Sequence, residues 1–299
     1  MAAQQGAGAG ASTAGGAAAD RARSRGSSEG RLEEAQVRAM FDRIAGVYDL
    51  MNTAMTAGLH HRWRARAAAL AAVGPGSRVL DVATGTGDLA IELARRTAPG
   101  GEVVGSDFSE AMLAQARRKA AAAGLGQARV RFEWGDALRL AYEDDYFDAA
   151  TVGFGARNFS DLARGLREMA RVVRPGGRVV VLEITTPSRA PLSLFYRLWF
   201  DRLVPLLGRL AGLLAGTVRA RGRGGTVRAG GAVWSPGGAP AEGTIAEAYS
   251  YLPSSVRRFP DPEALAAEME RAGLREITYL VTAGGIIAIH AGTVAPKKA

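Results

Sequence analysis

Apolar and polar positions follow a repeating order along the middle of this chain, with short apolar runs of strand length alternating with amphipathic stretches of helical period. Arg78–Val82, Glu102–Asp107, Val130–Trp134, Phe147–Phe154 and Arg178–Ile184 read as strands. Between them, Gly87–Thr97, Ser109–Ala123 and Asp161–Val173 read as helices, the second with Ser109 at its N-cap. Pro175-Gly176-Gly177 turns the third helix into the strand that follows it. Such alternation predicts a mostly parallel sheet covered on both faces, with ligand bound beyond the carboxyl ends of the strands. The tail breaks the pattern. Asp261-Pro262 opens a helix that Gly273 ends, and Leu274–Val281 and Gly285–Thr293 follow as strands joined by a link too short for a crossover helix. These two must pair antiparallel. The expected fold is α/β: a doubly wound, Rossmann-like, seven-stranded, mostly parallel sheet with an antiparallel C-terminal strand, preceded by N-terminal helices.

The flanks set the domain limits. Residues 1–30 are almost entirely Ala, Gly, Ser, Gln and Arg, which cannot bury enough surface to offset the entropy of ordering, so disorder is predicted there. The stretch lacks the apolar segment of a secretory signal; Arg21, Arg23 and Arg25 with few acids resemble an organellar transit peptide in composition, and a plain low-complexity extension is the preferred reading. Residues 31–299 form the expected domain, with a helical cap over 31–75. Residues 216–243, glycine-rich and carrying Arg219, Arg221, Arg223 and Arg228, read as a flexible insertion. Pro191–Leu214 carries Leu192, Phe195, Trp199, Leu203, Leu206 and Leu210 at helical steps, kinked near Pro205. That stripe is either a core-facing helix or, with Arg197, Arg202 and Arg209 at its flanks, a face lying on a membrane surface.

Composition narrows the chemistry. A chain of 299 residues, 47% of them hydrophobic, can bury a large core as one domain with appendages. Cysteine is absent, which excludes disulfides, cysteine-ligated metals and a thiol nucleophile, and three histidines make a metal site unexpected. The net charge of +9 attracts anionic partners, but the arginines are scattered, so no nucleic-acid partner is expected. No apolar run reaches the roughly 18 to 20 residues that span a bilayer, which makes the expected location cytoplasmic or peripheral at a membrane. A homodimer is left open.

The candidate chemistry sits between Val79 and Asp107. Gly85 and Gly87 follow the first strand and allow a sharp turn with close backbone approach to a ligand. Asp107, about 20 residues further on at the end of the second strand, is placed to take both hydroxyls of a ribose. The ligand should therefore contain an adenosine. GTGDLA also fits the dinucleotide fingerprint, so nicotinamide dinucleotide and S-adenosylmethionine both satisfy the glycines. Asp81 favours the latter, because a carboxylate there reaches the amino group of a methionine moiety; its other reading is a cap of the glycine turn.

Seven separated motifs extend this. They are MFDRIAGVYDLMN (Met40–Asn52), GLHHRW (Gly58–Trp63), LDVATGTGDL (Leu80–Leu89), FGARN (Phe154–Asn158), RPGGRVVVLE (Arg174–Glu183), YSYLPSSVRRFP (Tyr249–Pro260) and TAGGIIAIH (Thr282–His290). With them the chain resembles the demethylmenaquinone and ubiquinone-biosynthesis C-methyltransferases, from about Val37 to Gly292, and an antiparallel strand ending a doubly wound sheet is the arrangement of class I methyltransferases. The resemblance implies transfer of a methyl group from S-adenosylmethionine to a ring carbon of a prenylated quinol, most plainly demethylmenaquinol, with the benzoquinol of ubiquinone synthesis as the alternative. It implies cofactor contacts at Thr86, Asp107, Asp136 and Ala137, beside Asp81, Gly85 and Gly87; where the family has a further contacting serine, this chain has Gly153, which offers only backbone groups. A ring carbon is a poor nucleophile unless its hydroxyl ionises, so the site must favour a phenolate-like state. Arg157 is expected to hold that oxyanion, Asn158 to orient a hydroxyl, and Tyr48 and His60 to line the quinol pocket, the last two also readable as core residues. A dinucleotide-dependent oxidoreductase is the distant alternative, and an RNA-binding protein with an inert core is another.

Overall fold

The computed structural model describes residues 34–46, 48–187 and 251–296. The tail at 1–30, the apolar stripe of Pro191–Leu214 and the insertion at 216–243 lie outside the described residues. Three helices open the described chain: α1 (Glu34–Ile44), α2 (Tyr48–Thr56) and α3 (Leu59–Leu70). The alternating part follows as β1 (Arg78–Val82), α4 (Asp88–Arg96), β2 (Glu102–Asp107), α5 (Glu110–Ala122), β3 (Val130–Trp134), β4 (Phe147–Gly153), α6 (Leu162–Val172) and β5 (Val173–Ile184). A short 3-10 turn, Ala156–Asn158, lies between β4 and α6. After a helical stretch at 251–258, α7 (Pro262–Arg271), β6 (Leu274–Thr282) and β7 (Ile287–Val294) complete the domain.

The seven strands form one sheet in the order β3-β2-β1-β4-β5-β7-β6. Neighbours from β3 to β5 run parallel, and β7 is antiparallel to both β5 and β6. The strands between are apolar on both faces because both faces are covered. One layer packs Leu93, Leu113 and Phe132 against Val180 and Ile289, and the other packs Leu166, Met169, Leu265 and Met269 against Phe147 and Val181. Local signals set the helix starts: Ser109 Oγ accepts from Met112 N at 3.2 Å, and Asp161 and Asp261 accept from Arg164 N and Ala264 N.

Two details depart from expectation. The antiparallel strand is last in sequence but not at the sheet edge: the hairpin inserts β7 beside β5, where it is buried, and leaves β6 outermost and largely exposed. The Pro175-Gly176-Gly177 turn is also not a link between helix and strand. Val173 already pairs with Phe147, and the turn is a bulge inside a longer β5, with Gly176 at φ 78°. A second bulge interrupts β6 between Arg275 and Thr278, where Glu276 has φ 51°.

Strand order reverses between β1 and β4, and their carboxyl ends converge there. Ala83 and Phe154 follow those strands with φ of 50° and 63°, a conformation non-glycine residues seldom adopt. A Cβ on Gly155 would sit 2.6 Å from Ala83 Cβ, so glycine is what lets the two ends approach. Gly87, expected from sequence to approach the ligand, serves packing in the same way. Its φ is 82°, and a Cβ there would lie 2.9 Å from Ala116 Cβ and from the Phe132 ring. Gly87→Ala is expected to cost about 2 to 5 kcal/mol, from left-handed strain of roughly 1 to 2 plus overpacking of roughly 1 to 3. Denaturant unfolding measures this, and an unchanged midpoint would contradict it.

Candidate active site

A cleft of about 920 Å³ opens at the point of strand reversal, with the carboxyl ends of β1, β2 and β4 as its floor. The glycine loop Thr84–Thr86 forms one wall, and Asp107, Phe108 and Asp136–Leu138 form the far end. Gly153–Gly155 and Asn158–Ser160 face them, and Phe41, Tyr48 and Arg64 of the N-terminal helices close over the top. Of the twelve positions expected in the site, Asp81, Gly85, Thr86, Asp107, Asp136, Ala137, Gly153, Asn158 and Tyr48 all line this cleft, and Gly87, Arg157 and His60 do not.

Two carboxylates organise it. Asp107 accepts from Gly85 N at 2.8 Å with one oxygen and from Ser109 N at 2.9 Å with the other, which binds the end of β2 to the glycine loop. Asp81 accepts from Thr84 Oγ1 and Thr151 Oγ1, each at 2.6 Å, so it does cap the loop while remaining in the cleft lining. Burial pushes each carboxyl up to about 6 despite these bonds. Each oxygen keeps a further lone pair for a ligand. Gly85, at φ 56°, has open space where a Cβ would point, a cradle a ligand can enter. Asp136 closes its own turn by accepting from Leu138 N at 2.8 Å, and Gly153 leaves only 3.1 Å between a Cβ position and Leu89.

Arg157 departs from expectation. Instead of a free cation facing the cleft, its guanidinium is buried and paired with Glu183, Nη1 donating to Oε1 at 2.7 Å, while its backbone N donates to Oε2 at 3.2 Å. Burial opposes its charge, but Glu183 outweighs it and the guanidinium is held ionised, with the phenols of Tyr48 and Tyr251 in electrostatic range. The sequence shows an arginine just past a strand end; it does not show a glutamate waiting on the next strand. Asn158, in the same turn, lines the cleft with a buried Oδ1 that has no partner among the described residues. His60 is likewise a packed residue and not a pocket wall: it is buried, its Nε2 lies 3.2 Å from Thr53 Oγ1, and its Nδ1 contacts Arg64. Burial, then Arg64, lowers it to about 4, so it is neutral at pH 7. Tyr48 packs edge-on to Phe41 at 6.1 Å between ring centres, at once a core aromatic and a cleft wall.

Sequence reading missed a charge network beneath the cap. Asp49 accepts from Thr86 Oγ1 at 2.6 Å and from Lys119 Nζ at 2.7 Å, while Lys119 and Arg64 both pair with Asp88, the latter at 3.2 Å. Burial alone would raise Asp88, but the two cations bring it below its ordinary value. His60, His61 and Asp88 bring possible ligand atoms within 4.8 Å of one another, but Arg64 and Lys119 already hold Asp88, and Arg64 and Thr53 hold His60, which argues against a metal ion.

Comparison with known proteins decides what such a site belongs to. The model of the ubiE/COQ5 methyltransferase family matches residues 29–215 and 239–294. The chain belongs to the ubiE/COQ5 methyltransferase family. It is 45% identical over 253 residues to the demethylmenaquinone methyltransferase of Thermus thermophilus, covering 85% of this chain and 99% of that one. It is 44% identical to the protein of the same name from Deinococcus radiodurans, covering 83% and 88%, and 37% identical to the ubiquinone/menaquinone biosynthesis C-methyltransferase of Pseudomonas paraeruginosa, covering 86% and 88%. Solved folds of the same architecture include a methyltransferase of Thermotoga maritima, at TM-score 0.51, 18% identity and coverage of 85% and 98%. Another is the [4+2]-cyclase SpnF, at TM-score 0.56, 19% identity and coverage of 87% and 95%. Family membership decides against the dinucleotide alternative.

The described residues fit S-adenosylmethionine. Asp107 would offer acceptors to a ribose, Asp136 and Ala137 would lie beside the adenine, Gly85 leaves room over the loop, and Asp81 would offer a carboxylate to an ammonium. Two predictions follow from the geometry. Because the folded-state values of Asp81 and Asp107 lie near 6, above their unfolded value of 3.8, the folded chain takes up their protons first. Their contribution to stability is therefore full below 3.8 and lost as pH rises through 6, whereas donor binding needs both ionised and should weaken by up to about tenfold per group per pH unit below 6. Calorimetry and thermal melts between pH 5 and pH 8, as round working limits (about three units), should show these opposite slopes; pH-independent affinity would contradict the assignment. Arg157→Met, by leaving Glu183 buried without its counter-ion, should cost about 3 to 5 kcal/mol of stability, read as a fall in Tm.

Proposed function

We propose that this methyltransferase transfers a methyl group from S-adenosylmethionine to a ring carbon of a prenylated quinol, with demethylmenaquinol as the substrate. The observation that carries the choice of ring is the pair of relatives named demethylmenaquinone methyltransferase, at 45% and 44% identity over most of the chain. The benzoquinol of ubiquinone synthesis is the second reading, favoured by the relatives named for both pathways at 37% identity.

S-adenosylmethionine supplies, when bound, a methyl group on a sulfonium centre that a carbon nucleophile can take. The chain's own part is to bind, orient and exclude water. Asp107 and Asp81 hold the two ends of the donor, and Thr86, tied to Asp49, fixes the loop between them. Phe41, Phe108, Met112, Phe154 and Phe159 give the cleft apolar walls suited to an aromatic ring. Asn158 Oδ1, unpartnered among the described residues, is the acceptor that takes a ring hydroxyl and sets which carbon faces the methyl group. With Arg157 neutralised by Glu183, orientation by Asn158 replaces a free guanidinium as this chain's contribution to the quinol.

The prenyl tail keeps such a substrate in a bilayer. Among the described residues no helix is long and apolar enough to cross a membrane, so contact at the membrane surface is part of the proposal, and a net charge of +9 favours anionic lipid. The test uses purified protein, labelled S-adenosylmethionine and quinol in micelles. Methyl transfer is expected to reduced demethylmenaquinone, faster than to the benzoquinol, and none to the oxidised quinone. Asn158→Leu should lower turnover about 10- to 100-fold, the worth of one strong hydrogen bond, with donor affinity unchanged. Equal use of oxidised and reduced quinone would refute the reading, and wild-type turnover by Asn158→Leu would remove that residue from it.

A further inference from the structure

The roof of the cleft has an outer face that the binding of donor and quinol does not explain. Tyr48 of α2 and Arg64 of α3 turn inward and line the cleft. At 3.6 residues per turn, a position two residues away lies about 200° round a helix, so Leu50 on α2, and Arg62 and Arg66 on α3, point outward. Leu59, one turn before Arg62 and two before Arg66, shares that outer face of α3. Leu50 is 71% exposed and Leu59 42%, and both arginines are exposed.

The two outer faces are continuous. Ala57 and Gly58, at φ of 48° and 76°, turn the chain sharply between α2 and α3. Thr53, one turn on from Leu50 and also exposed, has its Oγ1 3.2 Å from Nε2 of His60, the neighbour of Leu59. An outward strip therefore runs from Leu50 past Thr53 to Leu59 and on to Arg62 and Arg66. Its charge is of one sign. Helix α3 contains no Asp or Glu, and among the described residues neither Arg62 nor Arg66 has a hydrogen-bond or ion-pair partner. Asp49, the acid beside Leu50, is taken up by Thr86 and Lys119.

Leucines left in water beside unpaired guanidinium groups match an anionic bilayer. The apolar side chains enter the boundary of the acyl region, and the cations remain among the headgroups. A second copy of this chain fits the strip less well. A two-fold contact pairs a patch with itself, which would set Arg62 and Arg66 against their own counterparts with no acid on α3 to answer them.

We propose that the outer face of α2 and α3, with Leu50 and Leu59 as its apolar contacts and Arg62 and Arg66 as its charges, docks on an anionic lipid bilayer. This rests on the prenylated-quinol reading and names the surface that reaches the substrate's source. The same two helices then serve both sides: Tyr48 and Arg64 wall the cleft, and the leucines and outer arginines seat its roof on the membrane. A quinol drawn from the bilayer at this face has only the roof between it and the methyl donor.

The test measures co-sedimentation of the full chain with vesicles of phosphatidylcholine alone and of phosphatidylcholine mixed with phosphatidylglycerol. Methyl transfer is followed to demethylmenaquinol in those vesicles and to a soluble analogue with a truncated tail. Wild type should bind the mixed vesicles more tightly than the neutral ones, and less tightly as salt rises. The double variant Leu50→Gln, Leu59→Gln should bind both kinds about tenfold or more weakly, the worth of burying a leucine. The double variant Arg62→Gln, Arg66→Gln should lose about fivefold per arginine on mixed vesicles, with a shallower salt dependence and unchanged binding to neutral ones. Transfer to the soluble analogue and the melting temperature should stay those of wild type in both variants, since none of the four side chains lines the cleft. Vesicle binding by the leucine variant equal to that of wild type would overturn the proposal. Loss of a dimer in light scattering, with vesicle binding kept, would also overturn it and make this face an interface between two copies. Failure of wild type to methylate the soluble analogue would instead refute the quinol reading, while vesicle binding still decides the surface.

Discussion

The buried carboxylate of Asp81 is the interaction on which the site depends. It stands near the end of β1 with both oxygens held by threonines, one from the glycine loop and one from the neighbouring strand β4. That arrangement joins the loop to β4 across the point where strand order reverses, and so fixes the width of the cleft. It also has a cost. Desolvation holds the carboxyl near 6, so the ion is kept in place by short hydrogen bonds and by its closeness to Arg64 rather than by water. A cationic ligand group completes what the fold leaves unbalanced, and the cleft is electrostatically prepared for it before it arrives.

Around this centre the polar contacts divide by range. Asp107 links β2 to the loop through backbone amides, a rigid attachment. The first two helices are attached differently, through bonds between side chains: Asp42 to Ser109 at 2.5 Å, and Asp49 to Thr86 and Lys119. Half-exposed pairs of this kind contribute little each and weaken with salt. Helices α1 and α2 are therefore the part of the described domain that opens at least cost, and α2 carries Tyr48 to the cleft.

Most of the fold was legible because its signals are local. Ser109, Asp161 and Asp261 cap helices within three residues of themselves, and the strand boundaries follow short apolar runs covered on both faces. The acids Asp81 and Asp107 were legible for the same reason, since a strand end before a glycine turn has a fixed place in a doubly wound sheet. Contacts that the sequence does not show arose where a partner lies far along the chain. Arg157 meets Glu183, Gly87 meets Phe132, and His60 folds into a network with Asp88, and no spacing rule relates those positions. Arg64 was missed because a basic residue in a basic helix carries no sign of which face it takes. The insertion of β7 between β5 and β6 is a choice between two antiparallel pairings that periodicity cannot make.

Placing β7 inside the sheet makes β6 its rim among the described residues, and a rim offers unpaired backbone groups to any other strand it meets. Tyr279, Leu280 and Val281 are each more than two-fifths exposed on that strand, so its side chains alone would not discourage such a meeting. The bulge between Arg275 and Thr278 does so instead, with Glu276 turned to a positive φ beside Arg275 and the ladder broken at the strand's first half. A second strand approaching this rim finds no continuous straight register to follow. The same irregularity that shortens the pairing with β7 thus guards the sheet against growing by another chain.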